Sequence, residues 1–400
     1  MAARASTNIP PSLRAIWNSL EMTTTKAIVC HDTHANGGWK LEEVTVREPG
    51  EGELLVEMVA TGVCHTDVLI GGIPGGAAPI AFYPRVLGHE GSGYVRKVGA
   101  GVTVAKEGDP VLLSFAFCND CIVCKDGQPA HCGEFTPLNF GGPFNVFGKK
   151  EGGEADIGGV FFGQSSFANL SVVKECSVVN VKDTVTTKED LQLFAPLGCG
   201  IQTGSGTVIN AAQATEKDDI VIMGLGGVGL SAIMGAKIQG CKTIIGVDRV
   251  ASRLTLAQEL GATHIIDGSK LGDKSLGDAI KDLTGGNGPS ITIDTTGVPA
   301  LIKQGVEFTR NKGKIIQVGS PPFDFKLDLD LFSFMVTGKQ FMGAVEGHSF
   351  PPVYVPKMIQ WYREGRFPID KLTKLMPLAD YDKALAEMHD GTTIKPILTF

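Results

Sequence analysis

The chain has 400 residues, of which 43% are hydrophobic, enough to fill two sizeable cores. A net charge of −7 with no basic run argues against nucleic acid or an acidic membrane surface as a partner. No apolar stretch approaches the length of a membrane span and nothing resembles a secretory h-region, so a cytoplasmic location is expected.

Residues 1–22 read as an N-terminal extension, containing Ser, Pro, Arg4 and Arg14 and no acid before Glu21. A variable arm and a weak organelle-targeting peptide both fit that composition. From Lys26 the chain turns β-rich. Short apolar or half-alternating runs at 27–30, 41–46, 53–60, 95–98 and 111–113 read as strands. Turn clusters such as Glu48-Pro49-Gly50-Glu51-Gly52 and Glu107-Gly108-Asp109-Pro110 separate them. Cys118, Cys121 and Cys124, with Cys132 eight positions later, put four thiols into one short lobe. Four sulfurs at that spacing can surround Zn²⁺ tetrahedrally and leave no open position, the mark of a structural site. A disulfide pair, packing cysteines and an iron–sulfur cluster are the competing readings.

After Leu197 strands alternate with helices. The strands fall at 220–223, 243–247, 264–267, 291–294 and 314–318, the pattern of a parallel, doubly wound sheet. The first of them runs into Gly224-Leu225-Gly226-Gly227-Val228-Gly229, followed by a small-residue helix over 230–239. The second ends on Asp248, 19 positions after Gly229. This strand, turn, helix, strand and acid in order is a dinucleotide-binding arrangement. Gly224 serves the tight turn, Gly226 the approach to a pyrophosphate and Gly229 the packing of helix on strand. The pyrophosphate belongs at the helix N-terminus, among free N–H groups. Asp248 can accept from both ribose hydroxyls and repels a 2′-phosphate, so the expected cofactor is NAD(H). From about Ala344 a mixed tail returns, as though the nucleotide-binding part were inserted into the β-rich one. Three further metal-ligating residues, Cys64, His89 and Cys199, lie scattered, and spacing alone does not join them.

A resemblance joins them. Gly88-His89-Glu90-x-x-Gly93-x5-Gly99-x2-Val102 looks like the signature of the zinc-containing medium-chain alcohol dehydrogenases. The likeness runs from about Thr25 to Phe400. It takes in the four-cysteine lobe, Gly198-Cys199-Gly200-x-x-Thr203-Gly204, and the closing Ile397-Leu398-Thr399-Phe400. Thr61-Gly62-Val63-Cys64-His65-Thr66-Asp67 and Gly343-Ala344-Val345-Glu346-Gly347-His348-Ser349 are most similar to the aryl- and benzyl-alcohol dehydrogenase branch.

The resemblance implies an α/β protein: a GroES-like β-rich catalytic domain over 23–198 and 345–400, with an inserted Rossmann domain over 199–344. It implies two zinc ions per chain, NAD(H), a small alcohol or aldehyde substrate and a homodimer or homotetramer. Cys64, His89 and Cys199 are then the catalytic zinc ligands, with Glu90 an occasional one. Asp67 accepts the ring N–H of His89, and Thr66 takes the substrate proton towards the nicotinamide ribose. His65 and Lys395 contact the pyrophosphate held by the Gly224–Gly229 turn, Gly227 included. Thr203, Val228 and Val318 line the nicotinamide, and Arg253 sits beside Asp248. Two positions depart from the family pattern. Leu69 stands where relatives often end the proton relay in histidine. Ser114 stands where they often have a bulky aromatic, which suggests added room that Phe115, Phe117 and Phe140 can refill. A glutathione-adduct dehydrogenase and a catalytically silent NAD-binding structural protein are the alternative readings.

Overall fold

The computed structural model describes residues 22–149 and 156–400, so the extension expected over 1–22 lies outside it apart from Met22. Two sheets make the β-rich part. One orders β4 (Arg85–Val86), β1 (Met22–Cys30), β2 (Trp39–Arg47) and β7 (Phe147–Lys149). The other orders β16 (Thr373–Pro377), β17 (Lys395–Thr399), β3 (Glu53–Gly62), β5 (Gly91–Val98), β6 (Pro110–Leu113) and β9 (Val178–Asn180). A further strand, β8 (Leu170–Lys174), also pairs with β3. β3 is buried along almost its whole length, which suits its nearly unbroken apolar run in the middle of a sheet. β17 comes from the C-terminus and lies antiparallel on β3, with Ile397 opposite Gly62. That pairing brings Lys395 back to the segment that carries Cys64.

The third sheet is wholly parallel. Its order is β12 (His264–Asp267), β11 (Thr243–Asp248), β10 (Asp219–Met223), β13 (Ile291–Asp294), β14 (Lys314–Gln317) and β15 (Gln340–Gly343). The winding reverses at β10, and a crevice at the carboxyl ends of β10 and β13 is where such sheets bind ligands. Three details differ from the sequence reading. The helix after β10 starts at Gly227 and runs to Ile238, because the glycine turn itself supplies the first helical residues. Val318 falls just past β14. β15 was not expected, since four residues after an apolar helix give too little alternation to register as a strand.

One hydrophobic cluster runs through both kinds of sheet, from Val59, Leu112 and Ile397 through Phe194 and Ile201 to Ile220, Leu230 and Ile293. Leu197 and Ile201, on either side of Cys199, share this core with Leu225 and Leu230 of the glycine turn, whereas Val63 and Leu87, beside Cys64 and His89, belong to a second one. Glycines make the closest approaches. A Cβ on Gly204 would meet the carbonyl oxygen of Val228 at 2.0 Å, so only glycine lets the helix Gly200–Gly206 lie on the helix Gly227–Ile238.

Two glycines of the turn separate packing from binding. A Cβ at Gly229 would sit 1.8 Å from the Gly224 oxygen, whereas one at Gly226 meets nothing within 4 Å. Gly229→Ala should therefore lower stability, by about 1–3 kcal/mol or more, in urea unfolding. Gly226→Ala should unfold like wild type but bind dinucleotide more weakly, as isothermal titration would show.

Candidate active site

Cys64 stands between β3 and the short helix His65–Ile70, His89 between β4 and β5, and Cys199 at the start of the helix Gly200–Gly206. The fold brings their ligand atoms within 4.8 Å of one another. Beneath them His89 Nδ1 donates to Asp67 Oδ1 at 2.9 Å, and that oxygen also accepts from the Gly88 amide at 3.1 Å. The other Asp67 oxygen accepts from the Cys64 amide at 3.0 Å. With Nδ1 turned to Asp67, His89 Nε2 is buried and has no hydrogen-bond partner. A wholly buried ring nitrogen facing two thiols without a partner fits a metal ion in that place. Hydrogen bonding from Cys199 holds the Cys64 thiol well below the usual range, against its burial.

Two carboxylates flank the cluster. Glu90 is fully buried, and both its oxygens accept from Lys395 Nζ at 2.9 Å. Its Oε1 accepts from the Gly200 amide as well. Burial pushes the Glu90 carboxyl up to about 7 against the pull of Lys395. The family resemblance implies that Glu90 is an occasional metal ligand and that Lys395 contacts the pyrophosphate. In the structure they hold each other, and Lys395 Nζ also donates to the Val63 carbonyl. Only its stem reaches the glycine turn, where a Cβ on Gly227 would lie 3.5 Å from Lys395 Cε. The second carboxylate, Glu346, had no assigned part. Its Oε1 lies 3.7 Å from Cys199 Sγ, and its Oε2 accepts from Gln202 Nε2 at 2.9 Å.

Ser114 needs a correction. It does not open space for substrate: its hydroxyl is fully buried and donates to the Gly198 carbonyl at 2.6 Å, beside Gln202. It braces the backbone next to Cys199. Leu69, where relatives often have the relay histidine, is 43% exposed on the helix that carries Thr66. What borders His89 is aromatic. Phe162 stacks on its ring at 4.5 Å and Phe161 meets it edge-on at 5.5 Å. Phe140 and Phe135 continue the wall from Phe162, and Phe115 and Phe117 follow from Phe135. Val160, Phe162 and Ser165 all adopt left-handed φ, a strain that holds the wall against the histidine.

In the cysteine lobe the sulfurs of Cys118, Cys121, Cys124 and Cys132 also lie within 4.8 Å of one another. All the cysteines are free thiols. Cys118 and Cys124 are 3.9 Å apart, close to the roughly 3.8 Å that a tetrahedral ion with 2.3 Å bonds to sulfur requires. Amides of Asp120 and Cys121 donate to Cys118 Sγ, and those of Cys118 and Glu134 donate to Cys132 Sγ. The Gly133 amide, joined by that of Cys124, brings the Cys121 thiol down to about 6. Such donors prepare thiolates for a cation.

The crevice holds the remaining residues. Gly224 takes a left-handed φ of 88°, and Gly226 faces open space, a cradle that a Cβ would fill. Asp248 closes the far side: its oxygens accept from the amides of Leu225, Arg249 and Val250. Arg253 Nη1 lies 4.0 Å from it, and Arg253 Nε is buried without a partner. Thr203 is buried, next in the chain to Gly204, which meets the Val228 carbonyl, and Val318 follows β14. His65 follows Cys64 and lies within electrostatic reach of Lys395 and Arg253. Lost hydration and the cations Lys395, Arg253 and His389 hold its pKa below the usual value, against Cys64.

Comparison with known proteins agrees. Residues 227–364 match the zinc-binding dehydrogenase family and residues 50–183 the alcohol dehydrogenase GroES-like domain. The chain is 38% identical over 367 residues to the geraniol dehydrogenase of Castellaniella defragrans, covering 91% of this chain and 95% of that protein. The benzyl alcohol dehydrogenase of Acinetobacter calcoaceticus superposes with a TM-score of 0.85 at 38% identity, over 94% of this chain and 99% of that one. An alcohol dehydrogenase zinc-binding domain protein from Burkholderia ambifaria gives 0.87 at 38% identity, over 95% and 100%. The chain belongs to the zinc-containing medium-chain alcohol dehydrogenases. It is an oxidoreductase whose cofactors are zinc and NAD(H). The orphaned His89 nitrogen, the sulfur quartet and the Gly226 cradle fit both groups.

The Glu90–Lys395 pair makes a prediction of its own. Removing one partner of a buried ion pair leaves an uncompensated charge, costing about 3–5 kcal/mol. Lys395→Met should lower unfolding stability by that order, and adding Glu90→Gln should restore most of it.

Proposed function

We propose that the chain transfers a hydride between NAD(H) and a primary alcohol or aldehyde of aromatic, allylic or cyclic type. The aromatic wall carries this reading: Phe162 stacks on His89 at 4.5 Å, and four further phenylalanines extend from it. A ring or a conjugated double bond gains stacked and edge-on contacts there that a short aliphatic chain does not. The geraniol and benzyl alcohol dehydrogenases among its relatives point the same way.

Cys64, His89 and Cys199 would hold the catalytic zinc, and Cys118, Cys121, Cys124 and Cys132 the structural one. Bound zinc supplies a Lewis acid for the substrate oxygen, and NAD(H) supplies the hydride donor or acceptor. The chain's own part is placement. Asp67 fixes the orientation of the His89 ring through Nδ1. Thr66, half-buried in the first turn after Cys64, would take the hydroxyl proton of the substrate on its own hydroxyl and pass it on. With Leu69 turned to solvent, no side chain at that position would carry it further. Thr203, Val228 and Val318 would hold the nicotinamide. Gly224, Gly226, Gly227 and Gly229 receive the pyrophosphate with His65 and Lys395 nearby, and Asp248 with Arg253 receives the adenosine ribose.

The catalytic unit spans 23–198 and 345–400 in this reading, the NAD-binding unit 199–344, and residues 1–22 precede them. Assembly is as a homodimer or homotetramer through the outer edge of β15. Among the described residues no strand pairs with that edge. The adjoining helix Leu331–Thr337 exposes Leu331, Phe332, Met335 and Val336, each by 65% or more. A free edge beside so much apolar surface suits a second copy. No described helix is long and apolar enough to cross a membrane, and we place the protein in the cytoplasm.

Purified protein should contain zinc at both sites by elemental analysis. It should reduce NAD⁺ with benzylic and allylic alcohols at a kcat/KM at least about tenfold above that for ethanol. NADP⁺ should serve at least about tenfold less well, since a 2′-phosphate meets the Asp248 carboxylate. A preference for ethanol would overturn the substrate class, and activity only with a glutathione adduct would replace it. Thr66→Val keeps the side-chain volume and should cost about 10²–10⁴-fold in kcat. An unaltered kcat and solvent isotope effect would show that no such relay operates. Phe332→Glu should shift the mass in light scattering to that of one chain.

A further inference from the structure

We infer that Glu346 is the exchangeable carboxylate ligand of the ion held by Cys64, His89 and Cys199, in the part the family resemblance gives to Glu90. The inference rests on the zinc reading above and names one more residue at that site.

Glu346 is 4% exposed. One oxygen lies 3.7 Å from Cys199 Sγ and the other takes a single amide hydrogen bond from Gln202. Among the described residues neither lysine nor arginine forms an ion pair with it, while Cys199 itself becomes a thiolate when it ligates. As a thiol Cys199 donates to that oxygen, and once it ligates as a thiolate the proton between them is gone, so a cation is what can hold the two anions together out of water. The unpartnered Nε2 of His89 marks where such a cation sits. As drawn, Glu346 adjoins the three-residue cluster through Cys199 and is not part of it, so it reaches the ion by turning its side chain.

Glu90 lacks that freedom. Both its oxygens are engaged by Lys395 Nζ at 2.9 Å and one also by the Gly200 amide, so ligation would strand a buried ammonium. Glu346 would give up only the amide of Gln202, which has Ser114 Oγ and the Gly198 oxygen as other acceptors.

The backbone aims Glu346 inward under constraint. Glu346, Gly347 and His348 take φ of 50°, 64° and 49°, a left-handed run in which two members are not glycine. The loop is pressed against the helix Gly200–Gly206: a Cβ on Gly206 would lie 2.5 Å from the Gly347 oxygen, to which Asn210 Nδ2 also donates. A run of that kind persists only where its surroundings impose it.

The test replaces the catalytic ion with Co²⁺ and reads the visible ligand-field bands, which report donor set and coordination number without turnover. Without substrate, Glu346→Gln and Glu346→Asp should each shift the bands relative to wild type, and the paired change Glu90→Gln with Lys395→Met, which strands no buried charge, should not. A saturating alcohol should abolish the difference, because substrate displaces the carboxylate. The ion should also leave the Glu346 variants about 10–100-fold faster in a chelator competition. Either variant suffices if the other fails to fold. Unshifted bands would overturn the inference, as would an equal shift in the paired Glu90→Gln, Lys395→Met variant. A difference that persists with alcohol bound would reduce Glu346 to a neighbour of Cys199. Failure of cobalt to enter a Cys64, His89 and Cys199 site would instead defeat the zinc reading itself.

Discussion

Negative charge taken out of water is the constraint on which the centre of this molecule depends. Two thiols, Cys64 and Cys199, meet there with the carboxylates of Asp67, Glu90 and Glu346, all behind a wall of phenylalanine. Burying an anion costs several kcal/mol unless a cation or an array of donors meets it. The chain answers each in a different currency. Asp67 receives three N–H groups, and Glu90 receives Lys395. The thiols receive little from the protein, and their grouping with His89 is one that a metal ion would complete.

Delivering those partners takes most of the chain. Lys395 belongs to the last strand and reaches Glu90, 305 positions earlier, only because β17 pairs with β3. Ser114 and Gln202, from different segments, fix the carbonyl of Gly198 and with it the approach to Cys199. Close contacts without side chains, at Gly204 and Gly229, set the crevice against the metal cluster. The Cys199 segment and the glycine turn share one core, while the segments of Cys64 and His89 rest on another.

Much of this was legible in the sequence, and for identifiable reasons. The glycine turn and the cysteine lobe are local: spacing along a few residues carries their chemistry, so the order β10, turn, helix, β11 and Asp248 could be read directly. Cys64, His89 and Cys199 needed a family pattern, since nothing local relates Cys64 to His89, or either of them to Cys199 more than a hundred positions on. What stayed hidden is long-range pairing. No periodicity announces that Glu90 and Lys395 neutralise each other, that Ser114 turns to a carbonyl, or that Glu346 stands beside Cys199. Glu346 did leave a trace: an acid before glycine in an otherwise apolar stretch. β15 escaped because its four residues acquire a strand's identity only from β14.

The three amides that bind Asp248 carry a lesson for altering the cofactor. Leu225, Arg249 and Val250 all use its carboxylate as their acceptor, so this side chain knits the glycine turn to the end of β11. Its orientation is settled before any nucleotide arrives, which spares the complex that ordering cost. Trading it for a small neutral residue, the obvious route to a phosphorylated ribose, would unfasten the loop as well as remove a charge. Re-engineering preference at this position is therefore first a matter of rebuilding backbone acceptors, and only then one of attraction and repulsion.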